Sequence, residues 1–389
     1  MDPKVLPNEQ YESIIFKGVP YAKPPVGDLR WRSPQPMDDW SDIRNATEVG
    51  ASCSPNDWAP TWSEDCLYLN IFVPKRAFEE NRKVPVSVWF HGGAFAAGAG
   101  SIILYDGRHF AHETDMILVT VNYRLGALGF LMWNNIEKHL GETHNGNWGL
   151  LDQTVALEWI QQNIEAFSGD KDKVMIFGQS AGGISVAQHL IYPRSQILFH
   201  TAAIHSNPFA IACKESWEAG VQANWFGRDI DCPTLDMECM RGKTKEQVLA
   251  AQQSNPITPN NEKLLYAAMK FSPVVDGIMI TEQPFNSLKA GRYDTSKDII
   301  VGVTEHETEI YVRTLFQNPV NDIVMLLGMG AVFFGDDTDT DKIINGAIEL
   351  YNTLDIPFPA CNSTIGVSQI QNAQLLFPKI FDVSMKLID

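Results

Sequence analysis

Two short strings carry residue types that could do covalent chemistry. Gly178-Gln179-Ser180-Ala181-Gly182 matches G-x-S-x-G, a serine flanked by small residues. A serine hydroxyl held on a tight, strained turn can attack a carbonyl carbon if a base takes its proton and N–H donors receive the developing oxyanion. Chance alone gives ~0.1 such matches in a chain of this length, so the surroundings must carry the assignment. The string follows the strand-like KVMIF and precedes AGGISVAQHLI, a helical pattern. That is the strand–turn–helix setting of a nucleophile elbow, and the start of the helix aims backbone N–H groups at negative charge. The second string, His91-Gly92-Gly93-Ala94-Phe95, follows the strand-like VPVSVWF. Its glycines leave N–H groups uncovered by side chains, and with the amide of Ala181 they could form an oxyanion hole. His91 reads as a structural ring beside that loop rather than as a base.

The elements that must position these strings are short β-branched and apolar runs: LYLNIFV (67–73), VPVSVWF (84–90), MILVTVNY (116–123), KVMIF (173–177), TAAIH (201–205) and DIIVGV (298–303). Helical patterns lie between several of them. In GLLDQTVALEWIQQNIEAF, apolar positions 151, 155, 157, 159, 160 and 164 fall mostly on one helical face. Strands alternating with helices predict an α/β fold with a mostly parallel central sheet flanked by helices. Residues 20–60, rich in Pro and Trp, read as a packed loop. Residues 207–297 read as a helical insertion within one domain spanning 1–389.

Bulk properties exclude some partners. A formal charge of −17 disfavours nucleic acid, whose phosphates need clustered Lys and Arg. The longest apolar run, Ile323–Phe334, has 12 residues, short of the ~20 that span a bilayer, and reads as buried helix. The opening MDPKVLPNEQ has no apolar core of a signal peptide. Two of the six cysteines' spacings are short, Cys53/Cys66 and Cys232/Cys239, and Asn45-Ala46-Thr47 and Asn362-Ser363-Thr364 are sequons. These features point to an oxidising compartment, while six free thiols remain an equal reading.

FKGVPYAKPPVGDLRWRSPQP (16–36), SEDCLYLNIFVP (63–74), HGGAF (91–95), VNYRLGALGF (121–130), GNWGLLDQTVALEWIQQNIEAFSGD (146–170), VMIFGQSAGG (174–183), FSPVVDG (271–277) and VGVTEHET (301–308) occur in one order along the chain. With them the chain resembles the type-B carboxylesterase/cholinesterase family of α/β-hydrolases. The resemblance implies Ser180 as nucleophile and the amides of Gly93, Ala94 and Ala181 as the oxyanion hole, with Ala94 where a glycine is often found. It implies Glu307, five residues past Gly302, as the acid that orients a histidine, and Ser206 as a supporting hydroxyl. By residue type alone, Glu307 is a solvated acid beside Glu305 and Glu309, and Ser206 is a strand-end serine. His306 and Glu305 lack a third metal ligand. The resemblance also implies disulfides Cys53–Cys66 and Cys232–Cys239, buried ion pairs Arg30–Glu64 and Arg124–Asp152, and passage through the secretory pathway.

The chain departs from the family at three places. Gln179 stands where the family usually has Glu, and Trp58 and Trp62 lie in a short Cys53–Cys66 loop without a cation-binding motif. Both features argue against choline esters. The family's base is a histidine in an H-G turn well after the acid, but here the last histidine is His306. His205, at a strand end, is a poor substitute. The opening hairpin and the last strands and helix of the family are also expected to be missing, so the chain reads as truncated at both ends. The expectation is a serine carboxylic-ester hydrolase for small or lipid-like esters, acting through an acyl-enzyme without cofactor or metal, and weak or inactive for want of the histidine. The alternative is a non-catalytic cholinesterase-like binding or adhesion protein, or a decayed esterase.

Overall fold

The computed structural model describes residues 12–55, 61–132, 144–207, 212–254, 269–304 and Glu307. Trp58, Glu305, His306, Glu309, the run Ile323–Phe334 and the Asn362 sequon lie outside them. The chain divides into two compact units. The first comprises Met1–Asn207, Ala212–Pro256 and Met269–Gly302. Of the second, which includes Val303–Asp389, the described residues are Val303, Thr304 and Glu307.

The strands of the first unit are β1 (Ser13–Pro20), β2 (Tyr68–Pro74), β3 (Val84–Phe90), β4 (Ile117–Val121), β5 (Gly169–Gln179), β6 (Thr201–His205), β7 (Lys214–Glu215), β8 (Val274–Val275) and β9 (Asp298–Gly302). Its α-helices are α1 (Lys75–Glu79), α2 (Arg108–Thr114), α3 (Gly126–Phe130), α4 (Trp148–Asn163), α5 (Ala181–Ile191), α6 (Pro193–Gln196), α7 (Ser216–Asp229), α8 (Met237–Arg241), α9 (Lys245–Ser254) and α10 (Pro284–Lys289). Seven strands form one sheet in the order β1-β2-β4-β3-β5-β6-β9. The β1–β2 and β2–β4 pairs are antiparallel, and every pair from β4 to β9 is parallel. Parallel strands covered on both faces need apolar side chains on both. On one face Val86, Val88, Phe90, Ile117, Val119, Val121, Val174 and Ile176 are inaccessible to solvent, and on the other Ser87, Leu118 and Thr120 are buried. Each such apolar side chain contributes ~1.5–3 kcal/mol relative to exposure.

The order β4-β3-β5 places the site. From β3 the chain crosses to β4 on one side, then returns over β3 to β5 on the other. In an open α/β sheet a crevice opens at the carboxyl ends of the strands where the winding reverses. Here the strands that flank it are β3 and β5, which deliver HGGAF and GQSAG. Their register is close, with Phe90 paired to Gly178.

Sequence patterning does not mark strand β1, since SIIF is a short run whose partner, Phe16 to Ile71 in register, is remote in the chain. Periodicity predicts one apolar face for helix α4, but Trp148 through Leu157, Trp159 and Ile160 are all buried. Its polar members Asp152, Gln153 and Thr154 are wholly inside, because each has a partner described below. The region read as a helical insertion holds α7, α8, α9, α10 and the short β7–β8 pair. Both short cysteine loops are closed by disulfides, Cys53–Cys66 and Cys232–Cys239. Both ion pairs form: Arg30 Nε donates to Glu64 Oε2 at 2.6 Å, and Arg124 Nε and Nη2 donate to Asp152 at 2.8 and 2.7 Å.

Candidate active site

Ser180 stands between β5 and α5 with φ 57° and ψ −121°. A side chain with a Cβ is strained in that conformation, so neighbouring contacts must enforce it. The Ser180 N–H donates to the His205 carbonyl at 3.0 Å, and the Ser180 carbonyl accepts the Ile184 N–H at 2.9 Å to start α5. Gly182 is obligatory for close approach, since a Cβ there would collide with the Phe90 carbonyl oxygen. Gly92 serves the same end from the other side. A Cβ on it would sit 2.8 Å from the Gln179 carbonyl and 3.3 Å from Ser180 Cβ. The two strings singled out in the sequence therefore touch.

The turn after β3 is also strained. Ala94 and Phe95 have φ 56° and 57°, and the Gly93 carbonyl closes the turn by accepting the Ala96 and Ala97 N–H groups at 3.0 Å each. Among the described residues, no acceptor takes the N–H of Gly93, Ala94 or Ala181. Behind this turn lies His91. Its ring stacks on Tyr123 at 4.5 Å, its Nδ1 donates to the Gly92 carbonyl at 2.8 Å, and the Tyr123 hydroxyl donates to the His91 carbonyl at 2.7 Å. Burial lowers the His91 pKa to about 4, with the Gly92 bond opposing, so the ring is neutral near pH 7. It braces the loop, as read from the sequence.

Ser206 lies at the end of β6 with φ 49° and donates its N–H to the Gly302 carbonyl at 2.7 Å. The ring of His205 faces β9: its Nδ1 is the nearest atom, at 3.9 Å, to a Cβ built on Gly302. In the second unit, Glu307 Oε1 accepts the Thr304 N–H at 2.5 Å. Gln179 is exposed beside the half-buried Ser180. The described residues hold no group of three or more His, Cys, Asp or Glu able to bind a metal ion, and no helix among them is long and apolar enough to cross a membrane.

Two features escaped sequence reasoning. The Lys245 ammonium sits 4.2 Å from the Trp62 ring and donates to the Trp62 carbonyl at 3.0 Å, a contact across 183 positions that no local signal announces. A shallow depression beside the turn after β3, with room for about 20 Å³, is bounded by Trp62, Ala96, Leu125 and Leu128 together with the polar Ser54, Lys245 and Gln252.

A mostly parallel sheet, a reversal of winding at β3 and β5, and a strained serine on the strand-to-helix turn there define an α/β-hydrolase. The model of the carboxylesterase family matches residues 4–341, and the chain belongs to that family. It is 40% identical over 315 residues to the crystal protein of Dictyostelium discoideum, covering 79% of this chain and 55% of that one. It is 36% identical over 316 residues to the para-nitrobenzyl esterase of Bacillus subtilis, covering 79% and 61%. A solved carboxylesterase from Geobacillus stearothermophilus superposes with a TM-score of 0.74 at 30% identity, covering 96% of this chain and 72% of that one. The chain thus spans between half and two thirds of the length of the two relatives matched by sequence.

Proposed function

We propose that this chain carries the nucleophilic half of a serine carboxylic-ester hydrolase working through an acyl-enzyme. Ser180 Oγ adds to the ester carbonyl carbon as a base removes its proton. The negative charge gathers on the carbonyl oxygen, facing the N–H groups of Gly93, Ala94 and Ala181. The bond to the alcohol then breaks, and the alcohol leaves with a proton. Water attacks the Ser180 ester, releases the carboxylic acid and restores the hydroxyl. Glu307 is the acid in this reading, and Ser206 the supporting hydroxyl. The observation that carries the reading is the strained Ser180 in contact with a turn whose Gly93 and Ala94 N–H groups have no acceptor among the described residues.

None of the nine histidines occupies the family's base position, so this chain is expected to acylate slowly, loss of a triad base being severely damaging. That same feature favours a second reading, a non-catalytic binding protein or a decayed esterase. Prolonged exposure of the purified chain to a fluorophosphonate, followed by peptide mass spectrometry, separates the two. Phosphonylation of Ser180, absent in Ser180→Ala, supports the hydrolase. A folded chain that stays unlabelled overturns it. Turnover of a short-chain aryl ester at the rate of a full-length relative would refute the missing base.

The substrate class is small or lipid-like carboxylic esters. An uncharged Gln179 and a Trp62 ring face already met by the Lys245 ammonium both disfavour a quaternary ammonium. The net charge of −17 disfavours nucleic acid. Two disulfides favour a secretory location. We also assign Asn45 as a glycan acceptor: it is exposed, and its Oδ1 accepts the N–H and hydroxyl of Thr47 at 3.0 and 2.8 Å. A mass shift removed by peptide-N-glycosidase and absent in Asn45→Gln, from secreted protein, checks this.

A further inference from the structure

Behind the serine turn, away from the crevice, lies a chain of polar side chains that the proposed chemistry does not use. Thr154 and Gln153 come from α4, Ser185 and His189 from α5, and Ser195 from α6. All five are fully buried. Their distances are uniform. Thr154 Oγ1 lies 3.1 Å from Ser195 Oγ, and Ser195 Oγ lies 2.9 Å from His189 Nδ1. His189 Nε2 lies 2.9 Å from Gln153 Oε1, Gln153 Nε2 lies 3.0 Å from Ser185 Oγ, and Ser185 Oγ lies 2.9 Å from the Ala181 carbonyl oxygen.

The proton inventory gives the chain one direction. A hydroxyl has one hydrogen, and that of Ser185 is committed to the Ala181 carbonyl, so its lone pair accepts from Gln153 Nε2. That leaves Gln153 Oε1 facing His189 Nε2, which must carry the ring proton. His189 Nδ1 then accepts from Ser195, where the directed run begins, because Thr154 has a single hydrogen for both the Leu150 carbonyl and Ser195 Oγ, each 3.1 Å away. Burial holds His189 neutral by lowering its pKa to about 3. Bonds aligned head to tail polarise one another and resist rotation of any member. The chain also touches the other half of the site, because the His189 ring packs 5.2 Å from that of Phe90, the last residue of β3.

We infer that Ser185, Gln153 and His189 are positioning residues: a one-directional hydrogen-bond chain ends on the Ala181 carbonyl and holds the first turn of α5 in register with the turn after β3. Its chemical purpose rests on the hydrolase reading, since Ala181 supplies the N–H that would face the oxyanion, but its geometry does not. A second bond to the Ala181 carbonyl fixes the peptide plane one residue past Ser180. Ordinary helix hydrogen bonding leaves the N–H groups of a first turn without internal partners, so the chain adds a restraint from behind to the Ser180 N–H bond and the Gly182 contact.

Hydrogen exchange on the purified chain tests this. The reporters are the amides of Ser180 and Ile184, which are bonded to the His205 and Ser180 carbonyls. Ser185→Ala, Gln153→Leu and His189→Leu are expected to speed their exchange about tenfold while β3 and β6 amides stay within about twofold. Ser185→Thr keeps a hydroxyl able to reach the carbonyl one turn back and is expected to restore slow exchange. Unchanged exchange at Ser180 and Ile184 in Ser185→Ala overturns the inference, and so does an equal rise in β3 and β6, which would mark a general loss of stability. Ser185→Ala, the smallest change, decides alone if a larger one does not fold. A fluorophosphonate that leaves the wild type unlabelled sinks the hydrolase reading and leaves this exchange pattern to be judged separately.

Discussion

The turn after β3 and the turn after β5 meet across less than a side chain's width, yet they are held in different ways. The β5 turn is one strained residue, Ser180, set between two regular elements and braced from behind by a buried polar chain through α4, α5 and α6. The β3 turn strings positive-φ residues together, Gly93, Ala94 and Phe95, and leans on ring contacts, His91 stacked on Tyr123 and Phe95 edge-on to Phe130, with the Phe95 carbonyl accepting the Gly126 N–H at 2.6 Å. One turn therefore draws its shape from the sheet and the polar chain behind it, the other from aromatic packing and a loop hydrogen bond. Disturbing each in turn should show whether they are independent.

The largest effect is expected where both turns depend on the same atom-level fit. Gly182→Ala drives a methyl into the Phe90 carbonyl, a rigid backbone group at the end of a central strand. Relief requires α5 to withdraw from β3. The expected cost is ~3 kcal/mol or more, at or above the upper end of ordinary core overpacking because the colliding group is backbone. Chemical denaturation would show it as a collapse of the midpoint or as failure to recover folded protein. A variant within 1 kcal/mol of wild type, by the scale of ordinary substitutions, would mean that the two turns are less tightly joined than the glycine contacts indicate.

The two strings that meet here were legible in the sequence because each is local: a β-branched run, then small residues, then a helical period. The same local logic found β3, β4, β6 and β9 within a residue or two. It failed where the physics is non-local. Strand β1 is stabilised by its register with β2, not by its own four apolar residues. Asp152, Gln153 and Thr154 looked like the wet face of an amphipathic helix, because periodicity reads polarity and cannot see Arg124, His189 and Ser195 waiting to satisfy it. His189 itself drew no assignment, since a histidine without a family motif or a nearby carboxylate gives no sign of being a buried link. Lys245 over Trp62 is of the same kind. The resemblance carried the disulfides and ion pairs, which residue types alone left open.

The next effect separates the turns by pH. In the unfolded chain an imidazole takes its proton near 6.5, whereas folded His91 does so only near about 4 because burial penalises the charge. Between those values the unfolded state binds more protons than the folded one. The stability present above pH 6.5 is therefore lost as pH falls toward 4, by an amount on the order of 2–3 kcal/mol. His189 adds to the same decline and carries it lower, toward about 3. His91→Phe keeps the stack on Tyr123 but drops the bond to the Gly92 carbonyl. It should cost ~1–2 kcal/mol at pH 8 and flatten the decline between pH 6.5 and 4, leaving the His189 part. Urea midpoints at pH 8, 6 and 4.5 measure both. Parallel wild-type and variant profiles would remove His91 as the brace.

Strain relief should be smaller and unequal. Ser180 at φ 57°, ψ −121° lies where glycine alone is comfortable, so Ser180→Gly is expected to be ~1–2 kcal/mol more stable than Ser180→Ala. Ala94 has an ordinary left-handed φ, and Ala94→Gly gains at most ~1 kcal/mol, offset in part by the unfolded-state freedom of glycine. Thermal unfolding of the three variants ranks them. An Ala94→Gly gain exceeding that of Ser180→Gly over Ser180→Ala would place the greater strain after β3 and invert the comparison.

The smallest effect concerns charge rather than shape. Gln179 is exposed, so Gln179→Glu should leave stability within ~0.5 kcal/mol of wild type. It puts a carboxylate one residue from Ser180 on a wet surface, where a unit charge acts weakly and is screened by salt. The readout is a ratio: labelling of Ser180 by a cationic organophosphonate over labelling by a neutral one of similar size. At low ionic strength the ratio should rise about two- to threefold, and it should return toward the wild-type value in about 0.5 M salt, where the Debye length shrinks below the span of the site. Because the turn after β3 carries no matching charge, the neutral probe should be unaffected. A fall in neutral labelling would instead mean that Gln179, packed against Gly92 through its carbonyl and amide oxygens, shapes the junction of the two turns.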